Sequence, residues 1–178
     1  MGIDQGVLNF FVDIREGWLT FVMFVITYCG SYMVIIGLTL LSAGSFYIHK
    51  HAARILPLFM AVGGSAITTY SIKHLFYRAR PIAEALYLET GSSFPSGHAT
   101  AAMALYGFLL YTIWRHDKHH LKNPLIILLF ALIALVGISR LYLGVHYLSD
   151  VLAGYVIALI WLFLAAKLHK YLHSKTVV

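Results

Sequence analysis

The sequence predicts an all-α protein that crosses a membrane several times. Hydrophobic residues make up 60% of the 178-residue chain and charged residues only 11%, a composition outside the range of ordinary soluble domains. Several apolar stretches reach the length of about 18 residues that indicates a transmembrane helix. A chain this short could not bury so many apolar helices in a soluble core. We therefore expect residues 1–178 to form one polytopic membrane domain, a helical bundle.

About five transmembrane helices account for the apolar stretches, and one further helix precedes them. Each predicted span is close to the ~20 residues that cross the hydrocarbon core. The spans are 18–44, 55–76, 97–114, 124–143 and 148–169. Ahead of them, apolar residues recur at the spacing of a helix that lies in the membrane interface: Ile3, Val7, Phe10, Phe11 and Ile14. The alternative for this first segment is a frayed terminus.

Charge and cysteine content narrow the classes of partner and cofactor. The net charge is +6, but the basic residues cluster in short loops between apolar segments, as membrane topology requires. We therefore expect no nucleic-acid partner. The single cysteine, Cys29, lies inside the first apolar stretch, which leaves no disulfide framework and no paired-cysteine metal site.

Six ionisable residues enter or adjoin the predicted spans. Charged groups at membrane depth cost about 2.5–3.5 kcal/mol each, so such residues are candidates for function. Counting along the alternating loops places all six on one membrane face: Lys73, Arg80, His98, Arg140, His146 and Asp150. Taken singly, each has a structural explanation, such as a lysine at a helix end or an i, i+4 pair. Together they provide what a site needs to bind a phosphate and cleave its ester bond.

Three short motifs contain these six residues. They are KHLFYRARP (Lys73 to Pro81), PSGH (Pro95 to His98) and SRLYLGVHYLSD (Ser139 to Asp150). In order and internal spacing they resemble the three signature motifs of the type 2 phosphatidic acid phosphatase family, with every motif position present. The resemblance implies a metal-independent membrane phosphatase that needs no cofactor. It also implies that a lipid phosphate or diphosphate is hydrolysed through a phosphohistidine intermediate.

The chemistry of phosphoryl transfer suggests how the motifs hold the substrate. The transferred group carries charge on its equatorial oxygens, and Lys73, Arg80 and Arg140 are the matching cations. The arginines add a planar fork for bidentate contact. At the start of a helix, the Ser96 hydroxyl and the backbone N–H groups near Gly97 can add neutral donors.

With two histidines in the motifs, one can attack phosphorus while the other transfers protons. His146 is the candidate nucleophile, because Asp150 one turn later could accept a hydrogen bond from one ring nitrogen and leave the other free. His98 is the candidate general acid, which protonates the leaving oxygen and afterwards activates water. The histidine-rich stretch RHDKHH, residues 115–120, lies in a loop on the opposite face. A solvated basic loop explains it more simply than a metal site does.

The sequence leaves the substrate open. The same site would accept an isoprenyl diphosphate, a phosphatidylglycerol phosphate, a phosphatidic acid or a lipid A type glycolipid. A phosphotransferase that passes the phosphoryl group to another lipid would use the same residues. Vanadate-dependent haloperoxidases share the motif set but are soluble, which five spans argue against. A non-catalytic phosphate binder or transporter would need neither histidine.

The distribution of basic residues predicts the orientation in the membrane. The face with the N-terminus and the motifs carries five: Arg15, Lys73, Arg78, Arg80 and Arg140. The other face carries eight: Lys50, Arg54, Arg115, Lys118, Lys122, Lys167, Lys170 and Lys175. Because basic loops stay in the cytoplasm, we expect a cytoplasmic C-terminus in a bacterial inner membrane. The N-terminus and the active site would then lie on the periplasmic or outer side.

Overall fold

Seven α-helices form the part of the chain that the structure describes, residues 2–116 and 122–176. In this computed structural model those residues contain helices, turns and loops but no β-strand, which confirms the predicted all-α fold. The helices are α1 (Ile3–Asp13), α2 (Gly17–Tyr28), α3 (Tyr32–Ile48), α4 (Ile55–Leu75), α5 (Gly97–His116), α6 (Lys122–Tyr142) and α7 (Leu148–Thr176). Short 3-10 turns lie at Ala52–Arg54 and Ile82–Glu84.

The predicted spans correspond to α2 with α3, and to α4, α5, α6 and α7. Helices α4, α6 and α7 are each long and apolar enough to cross a membrane, as is the bent pair of α2 and α3 taken together. The described residues therefore contain three or four candidate spans where about five were predicted, since α5 is not among them; it packs against α4, α6 and α7. Ala102, Leu105 and Phe108 on this helix are completely buried. A helix enclosed by other helices faces little lipid, so its surface need not be uniformly apolar.

The predicted first span, 18–44, is wrong as a single helix. Three residues separate α2 from α3, and the two helices are bent by 46°. Ser31 caps α3 by accepting a hydrogen bond from the amide of Val34 at 3.5 Å. On the other side of the break, the Tyr106 hydroxyl donates to the Cys29 carbonyl at 2.6 Å. These bonds satisfy backbone groups at the helix ends. A hydropathy average taken across residues 18–44 does not detect the break between the two helices.

The bend brings Gly30 against the centre of the bundle. A Cβ atom at this position would stand 2.6 Å from Cγ1 of Val136 on α6 and 3.2 Å from Cβ of His98 on α5. The missing side chain therefore allows the junction of α2 and α3 to approach the first turn of α5. This junction forms one wall of the end of the bundle where the motifs lie.

Helix α1 packs across the ends of α6 and α7. Leu8 is buried, while Val7 and Phe11 contact a small apolar cluster on α5, α6 and α7. Ile3 and Phe10 are 79% and 57% exposed. The predicted helix is confirmed, but its apolar residues serve two purposes. Some pack against the protein, and the others face outward, where a membrane interface would cover them.

The loop between α4 and α5 is tied to the turn that follows α6. One amino group of Arg15 donates to the Glu84 carbonyl at 2.6 Å and to the Tyr142 carbonyl at 2.9 Å. Gly144 adopts a φ of 70°, and a Cβ there would stand 2.1 Å from the Glu84 carbonyl oxygen. A glycine is required at this point by both the conformation and the lack of space. The loop is thereby held across the ends of α6 and α7.

Candidate active site

The three motifs meet at one end of the bundle. Lys73, in the last turn of α4, donates from Nζ to the Ser92 carbonyl at 2.5 Å. Arg80 donates from Nη2 to the same carbonyl at 3.2 Å. The other amino group of Arg80, Nη1, lies 3.1 Å from Nε2 of His146. The first motif therefore contacts both the loop that leads into the second motif and the histidine of the third.

The contacts of His146 indicate which of its ring nitrogens carries the proton. A guanidinium group can only donate, so Nε2, which faces Arg80, is the unprotonated nitrogen and the proton lies on Nδ1. Nδ1 is 3.4 Å from the Ser93 hydroxyl and 3.6 Å from Oδ2 of Asp150. Burial, opposed by Asp150 but aided by Arg140 and Arg80, lowers the pKa of His146 to about 4. The neutral ring thus keeps a lone pair on Nε2.

Asp150 is fully buried and accepts hydrogen bonds on both carboxylate oxygens. Oδ2 accepts from the Ser93 hydroxyl at 2.5 Å and from the Tyr147 amide at 2.8 Å. Oδ1 accepts from Nη1 of Arg78 at 2.6 Å. The 3.6 Å separation between Oδ2 and His146 exceeds a hydrogen bond. The Ser93 hydroxyl lies within reach of both side chains and links them.

Arg140 is fully buried near the end of α6. Its Nη1 donates to the Thr27 hydroxyl at 2.7 Å and to the Tyr87 hydroxyl at 2.5 Å, and its Nη2 donates to the carboxylate of Glu89. The same carboxylate lies 3.3 Å from Nη1 of Arg80. Burial acts to raise the pKa of Glu89, but the cations, Arg140 foremost, outweigh burial and lower it. An ionised carboxylate therefore lies between the two motif arginines.

The second motif forms the start of α5. The Ser96 amide donates to the Asp150 carbonyl at 3.0 Å, which ties α5 to α7. The Ser96 hydroxyl is buried and makes no hydrogen bond to the described residues. A Cβ at Gly97 would stand 2.4 Å from the Tyr32 hydroxyl, so this glycine also makes room for a tyrosine.

His98 lies in the first turn of α5 and is partly buried. Its ring centroid lies 6.1 Å from that of Tyr32, and its Cβ lies against Gly30 at the junction of α2 and α3. The structure therefore brings every predicted site residue to this end of the bundle: Lys73, Arg80, Ser96, Gly97, His98, Arg140, His146 and Asp150.

Comparison with known families identifies the chain at the level of its superfamily. The sequence profile described as the PAP2 superfamily matches residues 54–174, a range that includes all three motifs. The chain belongs to the PAP2 superfamily. Its similarity to phosphatidylglycerophosphatase B of Bacillus subtilis (strain 168) is 34% identity over 166 residues, covering 90% of this chain and 80% of that protein. The putative undecaprenyl-diphosphatase YbjG of Escherichia coli (strain K12) is 27% identical over 133 residues, covering 67% and 63%.

Two crystal structures share the fold. A transmembrane PAP2-type phosphatidylglycerolphosphate phosphatase from Bacillus subtilis matches with a TM-score of 0.85 and 32% identity, covering 94% of this chain and 85% of that one. LpxE of Aquifex aeolicus matches with a TM-score of 0.74 and 24% identity, covering 94% and 96%, and supports the fold alone. The resemblance drawn from the motifs is confirmed, and the protein is a membrane lipid phosphatase of the PAP2 type.

An apolar cavity of about 500 Å³ lies beside the site of this PAP2 phosphatase, between α3, α4 and α5. Its wall includes Lys73 and Gly97 from the motifs. The remaining lining is mostly hydrophobic and includes Ile35, Ile36, Val62, Ala66, Ile67 and Ala101. A cavity of this size and composition suits a hydrocarbon chain.

Several residues of the site lie outside the three motif patterns. The motif patterns specify none of Arg78, Tyr87, Glu89 and Ser93. Ser93 lies three residues before Ser96, and Arg78 lies two residues before Arg80. This closeness to motif residues is the feature of the sequence that could have indicated them. No local pattern indicates that Glu89 pairs with Arg140.

The described residues contain no candidate metal site, and the histidine-rich stretch can be only partly examined. Among residues 2–116 and 122–176, no three histidine, cysteine or carboxylate side chains are grouped so that they could hold a metal ion. The histidine-rich stretch 115–120 lies mostly outside the described residues. The predicted metal-free site therefore stays a prediction.

Replacing Glu89 with glutamine should strengthen the binding of a free anion. The carboxylate of Glu89 lies between Arg140 and Arg80, so we expect it to compete with any anion that these arginines bind. A hydrogen bond to a charged group contributes about 1.5–3 kcal/mol, so the inhibition constant for orthovanadate should fall by about tenfold or more. Glu84→Gln is the control, since Glu84 bonds to Arg15 through its main-chain carbonyl. An unchanged or higher constant in Glu89→Gln would contradict competition by this carboxylate.

Proposed function

We propose that this PAP2 phosphatase hydrolyses the phosphate monoester of phosphatidylglycerol phosphate through a phosphohistidine at His146. The observation that carries the mechanism is the environment of His146. Its Nδ1 faces Ser93 and Asp150, while its unprotonated Nε2 faces Arg80, a cation able to bind the phosphate. A neutral, buried and oriented imidazole with its lone pair directed at a cationic site is the arrangement that nucleophilic catalysis needs.

In the first step, Nε2 of His146 attacks phosphorus. The N–P bond forms as the bond between phosphorus and the lipid oxygen breaks, and His98 gives its proton to that oxygen. Arg80 must shift from Nε2 to the phosphate oxygens, where Arg140 and Lys73 join it in balancing the negative charge. The product lipid then leaves, and the phosphoryl group stays on the histidine.

In the second step, water replaces the lipid. His98, now neutral, takes a proton from the water as its oxygen attacks phosphorus. The N–P bond breaks, inorganic phosphate departs, and His146 returns to its neutral form. Each residue ends in the protonation state in which it began, so the cycle needs no external reactant besides water.

The preference for phosphatidylglycerol phosphate has two supports. A phosphatidylglycerophosphatase B is 34% identical over 90% of this chain. The apolar cavity beside Lys73 fits a substrate that holds its phosphate at the membrane surface and its acyl chain within the bundle. An isoprenyl diphosphate is the second candidate, because a putative undecaprenyl-diphosphatase is also similar to this chain.

A panel of lipid phosphates tests this choice. We expect detergent-purified protein, in the presence of chelator, to release phosphate fastest from phosphatidylglycerol phosphate. Phosphatidic acid, an isoprenyl diphosphate and a lipid A phosphate complete the panel, and phosphate release is compared as kcat/KM. A higher kcat/KM for the diphosphate would overturn the proposed substrate. Transfer of label to an added lipid acceptor, instead of release into water, would identify a phosphotransferase.

The two histidines should differ in the step that each one affects. His146→Ala should abolish the acid-labile phosphoenzyme and reduce turnover by at least about a thousandfold, because it removes the nucleophile. His98→Ala should accumulate phosphoenzyme from p-nitrophenyl phosphate, whose leaving group needs no proton, because the hydrolysis step loses its base. Rapid quenching and counting of label on the protein measures both effects.

The control for this pair is His74→Ala. His74 follows Lys73 at a position that the motif pattern does not specify; it is exposed, and its Nδ1 lies 2.8 Å from the Tyr70 carbonyl. It should label and turn over like the original protein. Near-normal turnover of His146→Ala, or labelling of that variant, would exclude the proposed nucleophile.

We also propose that the site opens on the periplasmic or outer side of a bacterial inner membrane, as the distribution of lysine and arginine indicates. Exposed cysteines test this in a Cys29→Ala background. Ala83→Cys lies in the loop beside the site, and Ser174→Cys lies near the end of α7. A membrane-impermeant thiol reagent should label Ala83→Cys in intact cells and Ser174→Cys only after permeabilisation. The reverse pattern would place the reaction on the cytoplasmic leaflet.

A further inference from the structure

Asp150 is held by an arginine that the three motif patterns do not specify. Nη1 of Arg78 donates to Oδ1 of Asp150 at 2.6 Å and to the Ser149 hydroxyl at 2.7 Å. Nη2 of Arg78 donates to a carboxylate of α1, Asp4, at 2.8 Å. The guanidinium also lies over the ring of Tyr147, 4.4 Å from its centroid. Arg78 therefore joins α1 to the first turn of α7, where Asp150 lies.

Asp4 makes a second connection to the same turn. Its Oδ1 accepts from the Ser149 amide at 2.9 Å, and its Oδ2 accepts from the Ser149 hydroxyl at 2.6 Å. Amide groups in the first turn of a helix have no partner within that helix, so Asp4 caps α7 from a different helix. Burial acts to raise the pKa of Asp4, but Ser149 and Arg78 outweigh burial and lower it. The carboxylate is therefore ionised near neutral pH.

We infer that Arg78 and Asp4 are positioning residues for Asp150, and that α1 is part of the catalytic assembly. The inference rests on the proposed roles of His146 and Asp150. Arg78 occupies Oδ1 of Asp150, which leaves Oδ2 directed at the Ser93 hydroxyl and the His146 ring. Asp4 balances the charge of Arg78 and holds the residue that precedes Asp150.

The two residues should affect the rate of attack more than substrate binding. Without Arg78, Oδ1 of a fully buried carboxylate would lose a charged donor, and the carboxylate would turn towards other donors. The His146 ring would then lose the support that holds Nε2 towards phosphorus. The phosphate-binding groups Lys73 and Arg140 keep their own contacts with Ser92 and Glu89. We therefore expect a loss in kcat with little change in KM.

The test uses the full-length protein in detergent. Arg78→Gln should lower kcat by roughly 10- to 100-fold, the usual effect of removing a group that orients a catalytic residue. Asp4→Asn should lower it by roughly 2- to 5-fold, because its ion pair with Arg78 is partly exposed. KM and the inhibition constant for orthovanadate should change by less than about twofold, and Arg78→Lys should recover part of kcat. Matched controls are Arg115→Gln and Asp13→Asn, two exposed charges outside this network.

The Asp150→Asn background separates positioning from a general structural role. If Arg78 acts through Asp150, adding Arg78→Gln to Asp150→Asn should cause little further loss of kcat, measured with radiolabelled substrate. An equal loss in both backgrounds would overturn the inference, as would a normal kcat in Arg78→Gln or a change confined to KM. Where Arg78→Gln does not purify as a folded protein, Arg78→Lys and Asp4→Asn supply the same comparison.

Different measurements test the proposed nucleophile and the positioning residues. The outcome for Arg78 and Asp4 is read from the comparison of the two backgrounds. The outcome for His146 is read from the trapped phosphoenzyme of the original protein. An original protein that turns over without any phosphohistidine would overturn the nucleophile, while a non-additive pair would still support positioning of Asp150.

Discussion

The buried charge of Arg140 is the constraint on which the functional end of the bundle depends. Arginine does not lose its proton in a protein, so a guanidinium without solvent exposure must be matched by acceptors. Three residues from two segments supply them: Thr27 from α2, and Tyr87 and Glu89 from the loop between α4 and α5. The hydrogen bonds of this one cation therefore draw α2 and the loop onto the end of α6.

The same requirement links the resting site to its proposed chemistry. Glu89 lies between Arg140 and Arg80 and offsets part of their positive charge. In the proposed reaction, a phosphate would take over the arginines, so they would be compensated both before and after substrate binds. The ease with which the loop releases Glu89 would then contribute to substrate affinity.

A second network supports the candidate nucleophile from the opposite side. Asp150 accepts from Ser93, Tyr147 and Arg78, and through Arg78 it is joined to α1. Each carboxylate oxygen has its own donors, which limits how the side chain can rotate. Two ionic clusters therefore meet at His146, one proposed to bind the phosphate and the other proposed to orient the ring.

Much of this arrangement is predictable from the sequence because a membrane limits the length and direction of the helices that cross it. Spans of about 20 apolar residues alternate in direction, so Lys73, Arg140 and His146 must approach the same membrane face. The bend near Gly30 could not be predicted, because hydrophobicity is continuous across residues 18–44 and polar contacts from α5 support the break. The hydrogen bonds of Ser93 and Glu89 could not be predicted either. Both residues lie in a loop, and a loop has no regular repeat from which the direction of its side chains can be inferred.

The sequence by itself determined the all-α class, the superfamily and the set of candidate site residues. Apolar length and the cost of charge in lipid restrict where such residues can occur, and three motifs preserve their spacing. Only the tertiary structure decided the pairings: Glu89 with Arg140, Ser93 with Asp150, and Arg78 between Asp150 and Asp4. These contacts join segments far apart in the chain, up to 145 positions for Asp4 and Ser149. Packing between helices creates them, and no local pattern in the sequence encodes which partners will meet.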